Sequence, residues 1–71
     1  MNTKITDYIE KVTETLELAM RYYRDGDFHR SGTIAYLRNA AEAYEHFGYD
    51  VPETFQDYAD ELGIDLYLGG K

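Results

Sequence analysis

Between residues 25 and 27 the chain reads Asp-Gly-Asp, and on both sides of this break apolar residues recur every three or four positions. Upstream, Ile5, Tyr8, Ile9, Val12, Leu16, Ala19 and Tyr23 follow the period of an amphipathic helix. Leu18 and Tyr22 widen that stripe, so this helix is expected to touch two neighbours. Downstream, Phe28, Ile34, Leu37, Ala40, Ala41, Tyr44 and Phe47 keep the helical period. Gly26 can take the left-handed conformation that ends a helix. Asp27 is placed to cap the next one by accepting a backbone N–H. A stop and a start so close together fold two helices into a tight antiparallel hairpin. The sequence therefore predicts an all-α fold, with helix 1 over about residues 3–25 and helix 2 over about 28–47.

A third helix is expected over about 51–62. Asp50 is its candidate cap, Pro52 lies in the first turn without needing an N–H, and Glu53 completes a capping box. Phe55, Tyr58, Ala59 and Leu62 give it one apolar face, and Gly63 ends it. Ile64, Leu66 and Leu68 then alternate with Asp65 and Tyr67, the period of an extended segment. Residues 63–71 are expected to form a tail that lies across the bundle or pairs with a second chain. Gly32, inside helix 2, costs about 1 kcal/mol relative to Ala, which predicts a close backbone approach there. Asp7–Lys11 and Glu17–Arg21 have the spacing and orientation of favourable helical ion pairs.

Seventy-one residues make one domain. A monomer of this size buries only about 60% of its unfolded surface, so regular packing, self-association or a partner is expected to support it. The absence of cysteine excludes disulfides and thiolate metal sites. Glu42 and His46 share a helical face with no comparable pair on another helix, so no metal or other cofactor is expected. Fourteen acids against seven bases give a net charge of −7, which disfavours direct nucleic-acid binding. No apolar run reaches the ~20 residues of a membrane span, and none follows the N-terminus as in a signal peptide. The expected compartment is the cytoplasm.

The string Tyr22-Tyr23-Arg24-Asp25-Gly26-Asp27-Phe28 resembles the turn of a tetratricopeptide hairpin. In that register, however, Ala35 falls at an aromatic position and Arg38 at a small one, and there is one unit where solenoids need about three. Tyr22-Tyr23, Gly26-Asp27, the run Gly32-Thr33-Ile34-Ala35-Tyr36, and Glu42-Ala43 followed by Gly48 resemble a small archaeal family of helical hairpins of unknown function, over residues 19–53. That resemblance implies a hairpin fold and no activity. Arg24 and His29, with a polar Asp25 between, resemble the Arg-polar-x-x-x-His signature of HEPN ribonucleases. There the Arg stabilises charge and the His transfers a proton at the scissile phosphate. HEPN domains have four helices, and here the motif straddles a turn.

From Asp50 to Asp65 there are six acids and no base, whereas Arg21, Arg24, Arg30 and Arg38 surround the hairpin turn. This predicts an acidic end and a mildly basic turn, able to orient a dimer head to tail or to steer a partner. Helical spacing puts Glu53, Asp57, Asp60 and Glu61 along one face. In kind, such a row resembles the short, acidic, cysteine-free phage inhibitors of restriction and CRISPR nucleases.

The leading expectation is a non-enzymatic protein-interaction module that self-associates as a homodimer or higher, through Tyr22, Tyr36, Tyr44 and the tail leucines. The alternative is an acidic inhibitor or nucleic-acid mimic that uses Glu53, Asp57, Asp60 and Glu61 against a host protein. A HEPN-like ribonuclease using Arg24 and His29 stands below both.

Overall fold

The computed structural model describes residues 3–66. It is all-α: α1 spans Thr3–Arg24, α2 Arg30–His46 and α3 Glu53–Leu62. Helices α1 and α2 form the antiparallel hairpin, with Tyr8 against Phe47 and the Thr13 hydroxyl against the Tyr44 hydroxyl. Helix α3 lies over one side of it. Leu16 and Met20 of α1, Leu37, Ala40 and Ala41 of α2, and Phe55, Ala59 and Leu62 of α3 make the core. Alanines at positions 40, 41 and 59, each fully buried, let the helices approach closely.

All three helices end alike. Gly26, Gly48 and Gly63 take positive φ values of 81°, 81° and 76°. The glycine N–H and the next N–H turn back to Tyr23 and Tyr22, to Glu45 and Tyr44, and to Asp60 and Ala59. These paired bonds satisfy carbonyls that a helix end otherwise leaves open.

The helix starts differ from expectation. Helix α2 begins at Arg30, not near Phe28, with His29 at its cap position and no side-chain cap bond from Asp27 or any other residue. The Phe28 ring folds back over Gly32 and lies 5.9 Å from Tyr36. Residues 27–29 are therefore spent on crossing over and partly covering an aromatic ring. The His29 carbonyl instead accepts both the Thr33 N–H and the Thr33 hydroxyl. Gly32 does not admit a neighbouring backbone: a Cβ there would lie 2.7 Å from Phe28 Cζ and 2.9 Å from His29 Cε1. It makes room for the helix's own entry segment.

Helix α3 begins at Glu53 with Pro52 at the cap position and no side-chain cap bond, so the Asp50–Glu53 capping box does not form. Proline forces the residue before it out of the helical region, and Val51 is part-buried against the core. The helix starts only after both. Beyond Gly63, Ile64 and Leu66 are non-helical and pack on the core, so this part of the tail lies across its own bundle. Leu68 and the rest of the tail lie outside the described residues.

Candidate interaction face

Helix α3 covers one side of the hairpin and leaves the other open. Tyr8, Thr15 and Tyr22 follow one another at seven-residue intervals along α1, with Val12 and Ala19 beside them. Opposite, α2 presents Tyr36, Asn39, Ala43 and Phe47. Between the two rows runs an open groove of about 850 Å³, whose lining includes Tyr8, Val12, Thr15, Tyr36, Ala43 and Phe47, and no residue of α3. Among the described residues, the large exposed apolar side chains are Tyr8, Leu18, Tyr22, Tyr36, Phe47 and Tyr49. All but Tyr49, which sits in the α2–α3 connection, belong to this face or its rim. Isolated exposed apolar residues need no explanation, whereas a contiguous patch makes a face a candidate contact surface.

The face is also charged in a particular way. Lys11 lies three residues after Tyr8 and four before Thr15, on the outer edge of the α1 row. Glu42, Glu45 and His46 line the groove on the α2 side. Among the described residues the one salt bridge is Arg24–Glu61. The Asp7–Lys11 and Glu17–Arg21 pairs are therefore not formed, and neither Lys11 nor Glu42 takes part in a salt bridge.

Two arginines of the basic turn reach the end of α3. Arg24 donates from Nε and Nη2 to the two Glu61 carboxylate oxygens at 2.8 and 2.6 Å, and its guanidinium lies 5.7 Å from the Tyr58 ring centroid. The hydrogen bond from Arg24 holds the Glu61 carboxyl below its ordinary pKa, and the same bond raises that of Arg24. Partial burial raises the Tyr58 hydroxyl, helped by the negative charge of Glu17 and opposed by Arg24. Arg30 donates from Nε to the Leu62 carbonyl at 2.9 Å, capping α3. Two of the four arginines thus clamp the end of α3, and of the charges at the basic turn and the acidic end only Arg24 and Glu61 neutralise each other within the chain. No family model, curated protein or solved structure matches this chain.

The residues singled out from sequence fall in different places. Tyr22 and Tyr36 stand exposed on the open face. Tyr44 faces the opposite side: its hydroxyl is 2.7 Å from Thr13 Oγ1 and its ring sits edge-on to Phe55 at 5.2 Å, so it ties the three helices together. Glu53, Asp57 and Asp60 are exposed on α3, but Gln56 donates to Asp60 and Glu61 is held by Arg24. Arg24 and His29 are not joined by a hydrogen bond; the His29 ring packs on Phe28 at 4.7 Å. Sequence reasoning missed Tyr8 and Phe47 as members of the face. The signal for Tyr8 was present in the seven-residue steps from Tyr8 through Thr15 to Tyr22.

Proposed function

We propose that this chain is a non-enzymatic protein-interaction module that associates with copies of itself through the open face of the α1–α2 hairpin. The observation that supports it is the gathering of Tyr8, Tyr36 and Phe47 on the groove that α3 leaves bare, with Tyr22 and Leu18 exposed farther along α1. Aromatic rings of this kind bring large contact area at little entropic cost and are enriched at contact surfaces. Covering them also extends a core that is thin for a chain of 71 residues.

Sedimentation equilibrium over a range of protein concentrations tests the reading. A concentration-dependent dimer is expected, and Tyr36→Lys with Phe47→Lys should abolish it while leaving the helical circular-dichroism spectrum intact. A wild-type chain that stays monomeric at hundreds of micromolar overturns it. The acidic-inhibitor reading finds less support, because Glu61 is neutralised by Arg24 and only Glu53, Asp57 and Asp60 remain as a free row.

A further inference from the structure

The charged side chains along the open face differ between its edges: on the α1 side Lys11 stands between Asp7 and Glu14 of its own helix, and on the α2 side Glu42 and Glu45, with His46, line the groove. Two dimer arrangements bring such a face onto itself. With the two-fold axis in the interface and perpendicular to the helices, α1 crosses the partner's α1 and the two Lys11-bearing edges face each other. With the axis parallel to the helices, each α1 lies along the partner's α2, and the Lys11 edge of each copy meets the Glu42 edge of the other. The second also keeps every residue at its own height along the bundle. The contacts Tyr8–Phe47 and Thr13–Tyr44 set the antiparallel register. That register puts Lys11 within about one helical turn of the level of Glu42, inside the reach of a lysine side chain.

We propose that the occupant of the open face is a second copy of this chain, related by a two-fold axis parallel to the helices, with Lys11 of each copy paired to the partner's Glu42 across a four-helix layer. The proposal rests on the self-association reading and adds the arrangement to it. Each α1 then runs antiparallel to the α2 it covers, the up-down packing of helical bundles. Lys11 then meets Glu42 on both edges of the interface, whereas the perpendicular axis brings the Glu42 and Glu45 edges of the two copies together, and like charges act against that pairing.

A reversal cycle on Lys11→Glu and Glu42→Lys tests it, by sedimentation at 0.15 M salt, where long-range charge effects are largely screened. Both side chains are exposed, so the fold is not at risk. The pair occurs twice in a dimer, and exposed pairs are individually weak. Lys11→Glu is therefore expected to weaken the dimer about ten-fold, with the double reversal returning to within about two-fold of wild type. The chain has no native cysteine, which allows a second measurement. Mixing Lys11→Cys with Glu42→Cys chains under mild oxidation should give a disulfide-linked heterodimer in preference to either homodimer. A dimer that persists without rescue, and without preferred heterodimer, overturns the arrangement and leaves self-association standing. A wild-type monomer overturns both.

Discussion

Phe55 is the side chain on which the docking of α3 most depends, and truncating it gives the sharpest test of the core. It is 1% exposed, edge-on to Tyr44 at 5.2 Å and stacked on Tyr58 at 6.4 Å. Removing a fully buried phenylalanine forfeits its transfer free energy and leaves a cavity, together about 3–5 kcal/mol. Domains carry about 0.05–0.15 kcal/mol of stability per residue, so this chain of 71 residues holds about 4–10 kcal/mol. Phe55→Ala thus removes between a third and all of it. The loss should be cooperative. Helix α3 has 10 residues, too few to stay helical undocked, and its departure bares Leu16, Met20, Leu37 and Ala41. Urea denaturation at fixed protein concentration, followed both by ellipticity and by tyrosine fluorescence, should show the two midpoints falling together. Phe55→Leu, which keeps most of the volume, should lose about half as much. A loss under about 1.5 kcal/mol for Phe55→Ala, against the 3–5 expected for such a cavity, would refute the reasoning. So would a tyrosine transition that precedes loss of ellipticity, since the hairpin would then stand without α3.

Two further outcomes follow from single contacts. Thr33 is fully buried, and its hydroxyl shares the His29 carbonyl with its own N–H; Thr33→Val leaves that carbonyl satisfied and should change stability by less than about 1 kcal/mol, as read by the urea midpoint. Glu61 has its folded pKa lowered by Arg24, so its contribution is present above the unfolded carboxylate pKa of about 4.3 and disappears as pH falls through the lower folded value. Both partners are more than a third exposed, at 50% and 36%, which limits the pair to about 0.5–1 kcal/mol. Glu61→Gln should be destabilised by that amount at pH 7 and match wild type near pH 3, measured by denaturation at the two pH values.

The hairpin was legible because its signals are local and agree: a helical period on both sides and a glycine where a left-handed residue is required. The helix starts were less legible because two local signals compete. Asp27 has the chemistry of a cap, but Phe28 gains more by folding its ring over Gly32, and the start moves to Arg30. Asp50 likewise has cap chemistry, but Pro52 holds Val51 extended and the start moves to Glu53. The arginine clamp was not legible at all. Arg24 and Glu61 are 37 residues apart in sequence, and no periodicity links a turn to the end of a third helix. Hence one contact of the charge asymmetry visible along the chain, Arg24 of the turn on Glu61 of α3, closes the fold upon itself, while Arg21, Arg38 and the other acids stay exposed. Tyr44 shows the same limit: a tyrosine on the border of an apolar stripe can point to either side of a hairpin, and the choice is made by where α3 docks.

Net charge offers a way to separate self-association from capture of a basic partner, because the two respond to salt with opposite sign. Two chains of −7 each, with centres about 20 Å apart, repel by about 10 kcal/mol in unscreened water. At 0.01 M salt the Debye length of about 30 Å leaves roughly half of this, and at 0.15 M the length of about 8 Å leaves under a tenth. Raising salt between these values thus relieves about 4 kcal/mol of repulsion in the point-charge limit. The two Lys11–Glu42 pairs together contribute at most about 2 kcal/mol and weaken over the same range. Repulsion wins, so the dimer should tighten by about two powers of ten or more from 0.01 to 0.15 M salt, as measured by sedimentation equilibrium. A basic partner held by the Glu53, Asp57 and Asp60 row would instead bind most tightly at low salt and be released as salt rises. A homodimer that loosens with salt would mean that its contacts are carried by ion pairs, and not by the aromatic face.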